Sequence, residues 1–321
     1  MQKNNSDCVI LAIDTSNYTT SVAILDLSGE LVANLKLPLK VSEGARGLRQ
    51  SDALFSHTVN LPIIMRIAEK FLVGKEISAI GVSDKPRNVE GSYMPCFLAG
   101  VASAESISSI GKIPLYRFSH QCGHIMAALY SSGAMHLLEK EFAAFHISGG
   151  TTELVRVTPD TQGFKTELLG GTLDLNAGQL IDRIGVYMGL VFPAGPEMEK
   201  LALLNDKKIP SRKVRLNELS VNLSGIENLA IKLFDETKDK KLCSAFVFDC
   251  VSRALIAISQ EYQKRYGKCD FVYAGGVMSN SIIKDALRIR FSSYFAEPSM
   301  SADNAVGIAA LTLRAFKSEN K

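Results

Sequence analysis

Apolar positions in the first forty residues fall in short runs separated by small polar turns. Val9–Ile13 is apolar, Asp14-Thr15-Ser16-Asn17 is turn chemistry, and Ser21–Leu25 is apolar again. Asp26-Leu27-Ser28-Gly29 turns, and Leu31–Leu37 alternates. Runs of this length bounded by Asp, Ser, Asn and Gly predict three strands joined by tight turns. The pattern then becomes helical, with Leu54, Val59, Leu61, Ile64, Ile67 and Phe71 predicting a helix over Ser51–Phe71. A short strand is predicted at Ile77–Val82.

The same order recurs further on. Phe142–Ile147 is apolar, Ser148-Gly149-Gly150-Thr151 turns, Leu154–Val157 reads as a strand, Pro159–Gly163 turns, and Thr166–Leu169 is a third strand. Helical patterns cover Ala177–Met188 and Cys243–Arg265. Phe271–Tyr273 is a strand that ends in Ala274-Gly275-Gly276, ahead of a helix over Asn280–Arg290 and an Ala/Val/Ile/Leu-rich helix over Ala305–Ala315. Two meanders, each followed by helices and more strand, predict a duplicated α/β fold with a cleft between its halves. The halves are expected at residues 1–115 and 116–303. The second is expected to carry most of the metal and nucleotide motifs, and the helix 304–321 to pack back on the first.

Asn205–Asn222 breaks the pattern. It is polar and basic, with Lys207, Lys208, Arg212, Lys213 and Arg215. Most such runs are a solvated face; the other reading is contact with phosphate.

Length agrees with the duplication, since 321 residues at about 100–200 per domain make two domains. Lys+Arg is 36 and Asp+Glu is 33, for a net charge of +3. That excludes an acidic tail protein and a polycation, and leaves room for a local basic patch. No run reaches about 18 consecutive apolar residues, so no membrane span is expected. The polar start Met1–Asp7 and the short run Val9–Ile13 predict no signal peptide. The six cysteines form no Cys-x-x-Cys pair, which predicts reduced thiols in a cytoplasmic protein and argues against a Cys-based zinc site.

The sharpest chemical feature is His120-Gln121-Cys122-Gly123-His124, which holds two of the chain's five histidines. Residues at i and i+4 share a helix face, so both imidazoles can bind one metal. A hydrogen-bonded pair at a helix start is the alternative. A third ligand must come from elsewhere in the chain. Asp303, before the last helix, is either such a ligand or an ordinary N-cap. Three turns at strand ends are candidates for phosphate: Asp14-Thr15-Ser16, Ser148-Gly149-Gly150 and Gly275-Gly276. Small residues and glycines let backbone N–H groups approach an anion. Each also suits a plain turn; together they point to a nucleotide cleft of the actin and sugar-kinase type. Asp182 lies in an amphipathic helix, where it can pair with Arg183 or bind ribose hydroxyls. The rigid turn Phe192–Pro196 ends that region.

These residues together resemble the tRNA threonylcarbamoyl-adenosine synthase family, over nearly the whole length. Ile10–Ser16 is similar to its opening strand and phosphate turn, and His120–His124 to its paired-His metal motif. His146-Ile147-Ser148-Gly149-Gly150 is similar to its substrate turn. Leu169–Asp174 and Ala177–Asp182 follow its pattern, ending in the nucleotide-binding Asp182. Gly195 falls on the second glycine of its Pro-Gly-Gly, Ala274–Asn280 on a further nucleotide motif with Asn280 as the binding residue, and Ser301–Asn304 on the segment with the third metal ligand.

The resemblance implies an actin-like fold and transfer of a threonylcarbamoyl group from threonylcarbamoyl-adenylate to N6 of the adenosine beside the tRNA anticodon. It implies one divalent metal, Fe(II) or zinc, on His120, His124 and Asp303, and partner subunits of a tRNA-modifying complex. The chain also departs from the family. Cys122 stands where the family has Glu, Thr151 follows Ser-Gly-Gly in place of His, and Asn17-Tyr18-Thr19-Thr20 replaces a Cys and acidic residues. Ser83-Asp84-Lys85-Pro86-Arg87 replaces a glycine-proline-glycine loop. These departures leave open a carbamoyltransferase serving another acceptor, or a non-catalytic subunit of the complex. The retained His120, His124 and Asp303 argue against a pure scaffold. A protease is the remotest reading, because no Glu stands beside the histidine pair.

Overall fold

The computed structural model describes residues 7–16, 18–40, 48–161 and 163–320. Asn17 of the opening turn, Met1–Ser6 of the polar start and one residue of the Pro159–Gly163 turn lie outside the described residues. In chain order the elements are β1 (Cys8–Asp14), β2 (Thr19–Asp26), β3 (Leu31–Pro38), α1 (Gln50–Leu72), β4 (Glu76–Lys85), α2 (Phe97–Gly111), β5 (Leu115–Ser119), α3 (His120–Ser131), β6 (Phe142–Ile147), β7 (Thr152–Asp160), β8 (Gly163–Thr172) and α4 (Ala177–Tyr187). They continue as α5 (Gly195–Leu203), β9 (Leu216–Asn217), β10 (Ser220–Val221), α6 (Ser224–Thr237), α7 (Lys240–Tyr266), β11 (Phe271–Ala274), α8 (Ser281–Arg288), β12 (Ser293–Phe295), α9 (Pro298–Ser301) and α10 (Val306–Glu319).

The chain divides into two units. One comprises the described residues of Met1–Glu139, Pro159–Thr166 and Ser299–Lys321; the other comprises Lys140–Thr158 and Glu167–Pro298. The first unit is built on a five-stranded sheet of order β3-β2-β1-β4-β5. β1 runs antiparallel to β2, with Asp14 opposite Ser21, and parallel to β4. A central strand covered on both faces is apolar throughout rather than alternating, which is why Val9–Ile13 reads as a solid run. Val9, Leu11 and Ile13 join Leu61, Ile64 and Ala68 of α1 and Ala99 and Ala104 of α2 in one core. Ile10 and Ala12, pointing the other way, are equally buried, and α10 packs on β1, β2 and β4.

Residues 116–139, expected with the second half, therefore belong to the first. The reason is packing: α3 lies against β4, β5 and above all α10. A Cβ on Gly307 of α10 would stand 1.8 Å from the Gly123 carbonyl oxygen of α3, so the two backbones touch. The metal motifs go to the first unit with α3, not to the second as expected.

The second unit has a seven-stranded sheet of order β12-β11-β6-β7-β8-β10-β9. β6 pairs antiparallel with β7 and parallel with β11, setting His146 opposite Ala274. Phe145, Tyr273 and Phe295 stack across the sheet, with ring centroids 5.3 and 4.8 Å apart. α7 is long and apolar enough to cross a membrane by length and composition, and most of that apolar stretch is buried inside the fold. It is the core helix of the unit, packed by α5, α6 and α8. In the basic stretch after α5, Lys207 Nζ is held by Asp239 Oδ2 at 2.7 Å.

Candidate metal centre

β5 runs into α3 without a linker. The Ser119 hydroxyl oxygen caps the helix, accepting from the Cys122 backbone N–H at 3.2 Å. The cap makes His120 the first helical residue and His124 the residue one turn later on the same face. Their rings are 4.4 Å apart, and both side chains are almost fully buried. Asp303 reaches them from the connection between α9 and α10. Its Oδ1 lies 3.5 Å from His120 Nε2 and 3.4 Å from His124 Nε2. The three donor atoms fall within 4.8 Å of one another.

Asp303 is spared from capping by its neighbour. Asn304 Oδ1 accepts from the Val306 N–H at 3.0 Å, and Asn304 Nδ2 donates to the carbonyls of Met300 and Ala302. The alternative of Asp303 as N-cap is thus corrected: Ala305 holds that position in α10, Asn304 Oδ1 takes the Val306 N–H just before it, and the Asp303 carboxylate lies against the imidazoles.

Asp14 also departs from expectation. Expected in a phosphate turn, its fully buried carboxylate instead holds His120: Oδ2 lies 2.8 Å from His120 Nδ1, and Oδ1 accepts from the Ser16 N–H at 2.8 Å. Thr15 is equally engaged. Its hydroxyl donates to the Cys96 carbonyl at 3.0 Å and accepts from the Gly100 N–H at 3.1 Å, tying the end of β1 to α2. A carboxylate on the far nitrogen of a histidine fixes the ring and leaves the near nitrogen for a metal.

The electrostatics suit a cation. Burial works to lower the His120 pKa, but the Asp14 and Asp303 carboxylates outweigh it and push it up to about 10. Burial, and then the neighbouring His120 charge, lowers His124. Burial works to raise Asp303, yet its bonds to the two imidazoles hold it well below the usual carboxylate range. Asp14 is likewise lowered: burial opposes, and His120 prevails. The two carboxylates thus favour positive charge at this buried place, which a metal supplies once the His120 ring gives up its proton to bind. Two nitrogens and one carboxylate oxygen are a donor set for Zn or non-haem Fe(II). The residues present fit such a metal.

Cys122, between the histidines, is not a donor here. It is buried, its sulfur accepts from Asn88 Nδ2 at 3.3 Å, and burial raises its thiol pKa.

Sequence reasoning missed His57. It is wholly buried, with Nδ1 2.8 Å from Thr20 Oγ1, to which Asn60 Nδ2 also donates. The available signal was a histidine on the inward face of an amphipathic helix. Burial lowers its pKa to about 4, against a weaker pull upward from Asp14 and Asp303. Above pH 6.5 the ring is neutral in both folded and unfolded chains. As pH falls toward 4 the unfolded chain takes up the proton first, so stability is lost over that window. The full shift is on the order of 3 kcal/mol at 1.36 kcal/mol per unit. His57→Gln is expected to flatten the fall in unfolding free energy between pH 6.5 and 4; a slope equal to wild type would refute this.

The other candidates lie in the second unit. Ser148-Gly149-Gly150 follows β6 and Gly275-Gly276 follows its parallel neighbour β11, so the two turns lie side by side at the carboxyl ends of the strands. Gly275 has φ +95°, and a Cβ there would stand 2.3 Å from the Ile147 carbonyl oxygen, so only glycine fits. Gly149, Gly150 and Gly276 have open space where a Cβ would be. His146 is buried at the end of β6 beside Ile147. Asp182 does not pair with Arg183, which lies 3.4 Å from Glu227. Its Oδ1 accepts from the Ala194 N–H at 2.8 Å, fixing the entry to α5 at Gly195. Burial raises its pKa, against the Ala194 and Gly195 N–H groups. Asn280 Oδ1 caps α8 by accepting from the Ile283 N–H at 3.0 Å. Glu199 of α5 accepts from both the N–H and the hydroxyl of Ser281, joining the middle of α5 to the start of α8.

Comparisons with known proteins agree with this layout. The profile of the family described as TsaD, tRNA N6-adenosine threonylcarbamoyltransferase, matches residues 41–310. A tRNA N6-adenosine threonylcarbamoyltransferase of Christiangramia forsetii is 30% identical over 292 residues, covering 87% of this chain and 83% of that protein. Among solved structures, HypF of T. kodakarensis superposes with a TM-score of 0.66 at 11% identity, over 97% of this chain and 48% of that one. A ROK family glucokinase from Streptomyces griseus superposes with a TM-score of 0.51 at 14% identity, over 95% of this chain and 99% of that one. At such identities the structures speak for the fold, which is of the actin and sugar-kinase kind. The profile match covers most of the chain and includes His120, His124, Asp303 and the glycine turns: the chain belongs to the tRNA N6-adenosine threonylcarbamoyltransferase family.

Proposed function

We propose that this chain transfers the threonylcarbamoyl group of threonylcarbamoyl-adenylate to N6 of the adenosine beside the tRNA anticodon. A bond forms between N6 and the carbamoyl carbon, the bond from that carbon to the phosphate oxygen breaks, AMP leaves, and N6 gives up one proton. One divalent metal, Fe(II) or zinc, is held by His120, His124 and Asp303. When bound, it would supply Lewis-acid charge for the transfer. Asp14 holds the His120 ring so that Nε2 is presented. The backbone N–H groups of Ser148–Gly150 and Gly275–Gly276 take the phosphate, with His146 and Ile147 leading into the first turn. Asp182, Gly195 and Asn280 receive the ribose or base. The reaction is cytoplasmic, in keeping with tRNA as acceptor, and partner subunits share the hold on the tRNA.

The observation that carries this reading is the convergence of two imidazoles and a carboxylate within 4.8 Å, in a chain of this family. The test combines the chain, its partner subunits, the adenylate and unmodified tRNA. Release of AMP with appearance of threonylcarbamoyl-adenosine is expected; AMP release without the nucleoside would mean another acceptor.

Asp14 yields a prediction of its own. Asp14→Asn keeps the shape but weakens the hold on His120, and outer-shell changes of this kind typically cost about 10–100-fold in metal affinity. Equilibrium dialysis against zinc is expected to show that loss. Unchanged affinity would remove Asp14 from the centre.

A further inference from the structure

Lys36 of β3 is a half-buried lysine that no step above uses. Its place follows from the ladder of the first sheet. Asp14 of β1 lies opposite Ser21 of β2, and Ser21 lies opposite Lys36 of β3. Residues directly opposite one another share a face of the sheet. Lys36 therefore stands on the face from which Asp14 grips His120. Two strand spacings separate it from Asp14, about 10 Å, and the residue between them is the small, buried Ser21. The far end of the side chain is fixed independently. Lys36 Nζ donates to the Ser299 carbonyl at 2.7 Å, in the short α9 segment that leads to Asp303. There the Asp303 charge reaches it: burial lowers the Lys36 pKa, and the Asp303 carboxylate opposes that.

An ammonium has three N–H donors. One goes to Ser299, and no Asp or Glu forms an ion pair with Lys36 among the described residues. A bound metal makes that charge matter. Ligation takes the proton from His120. The two positive charges of a divalent ion then meet two negative ones, Asp14 and Asp303. The Lys36 ammonium has no counterpart in this group, and a half-buried cation so placed calls for an anion. The donor of the proposed reaction carries two anionic groups. Its phosphate goes to the glycine turns. The carboxylate of its threonyl part has no partner among the residues assigned so far.

We infer that the Lys36 ammonium receives the carboxylate of the amino acid carried by the carbamoyl donor. The inference rests on the proposed transfer for the identity of its ligand. It makes an amino-acid carboxylate, rather than the carbamoyl group alone, the feature by which the donor is chosen. The test is calorimetric binding to the zinc-loaded chain, without tRNA and without turnover. The probes are N-carbamoyl-L-threonine and its amide, in which a neutral carboxamide replaces the carboxylate. Wild type is expected to bind the carboxylate about tenfold or more tightly, as a charge-assisted hydrogen bond gives. Lys36→Gln keeps an N–H for Ser299 and removes the charge. It is expected to keep its zinc and bind both probes alike, and Lys36→Arg is expected to restore the preference. A wild type that binds the two alike would overturn the inference. So would a Lys36→Gln chain that keeps the preference, which leaves Lys36 as a tie to Ser299, or one that loses zinc, which makes it a support of the metal. AMP is the third probe, expected to bind Lys36→Gln and wild type equally; a loss confined to AMP would give Lys36 to the phosphate and overturn the inference as well. A chain that prefers the carboxylate through Lys36 yet modifies no tRNA refutes the acceptor alone. One that modifies tRNA without the preference refutes this inference alone.

Discussion

Metal analysis of the His124→Ala chain is expected to find the centre empty while the fold persists. His124 Nε2 is one of three donor atoms, and Ala leaves Asp303 and His120 with no third partner. The loss is expected to exceed the roughly 10–100-fold typical of an outer partner such as Asp14. Transfer activity is expected to fall with the metal. The change also bears on the apo protein. Asp303 is held ionised against burial by both imidazoles. Removing one weakens that hold, so the Asp303 loop is expected to loosen when no metal is added. Asp303→Asn is expected to lose metal without a comparable change in packing, because it keeps the shape and removes the charge. Wild-type metal content in both variants would dissolve the centre.

The second large effect lies in packing rather than chemistry. Gly307→Ala is expected to destabilise the chain by roughly 3 kcal/mol, at the upper end of overpacking costs. The added Cβ would meet the Gly123 carbonyl at 1.8 Å and the Ala127 nitrogen at 2.8 Å. These are backbone atoms and no rotamer relieves them, so the two helices must separate. α3 carries both histidines, and α10 follows Asp303 within a few residues. Parting the helices therefore also pulls the donors apart, and metal affinity is expected to fall with the melting temperature. Gly225→Ala, where a Cβ has open space, is the control and is expected to melt like wild type. A Gly307→Ala chain with wild-type melting and metal content would show that the crossing tolerates more than its geometry allows.

Some of this was legible in the chain and some was not, for identifiable reasons. Val9–Ile13 and Phe142–Ile147 announced themselves because strands buried on both faces are continuous apolar runs. The histidine pair was legible because both candidate ligands sit on one helix, where spacing in sequence is spacing in space. Asp303 lies far along the chain from that pair, so no local pattern joins it to them, and only the family resemblance did. The role of Asp14 was hidden, since an Asp at a strand end looks the same whether it turns the chain, binds phosphate or grips a histidine. α2 went unseen because its small residues, Ala99, Gly100, Ala102 and Ala104 among them, carry no amphipathic period. β9 and β10 are too short to show one. The boundary near 115 came from counting repeats; contacts between α3 and α10 drew residues 116–139 into the first unit.

tRNA modification by this chain is proposed to run through His120, His124 and Asp303. The most direct measurement is the threonylcarbamoyl-adenosine content of tRNA, by mass spectrometry, in a strain depleted of its own synthase and supplied with this chain and its partner subunits. The nucleoside is expected to return with the wild-type chain and to stay absent with His124→Ala. No nucleoside with the wild-type chain, or equal nucleoside with both, would contradict it.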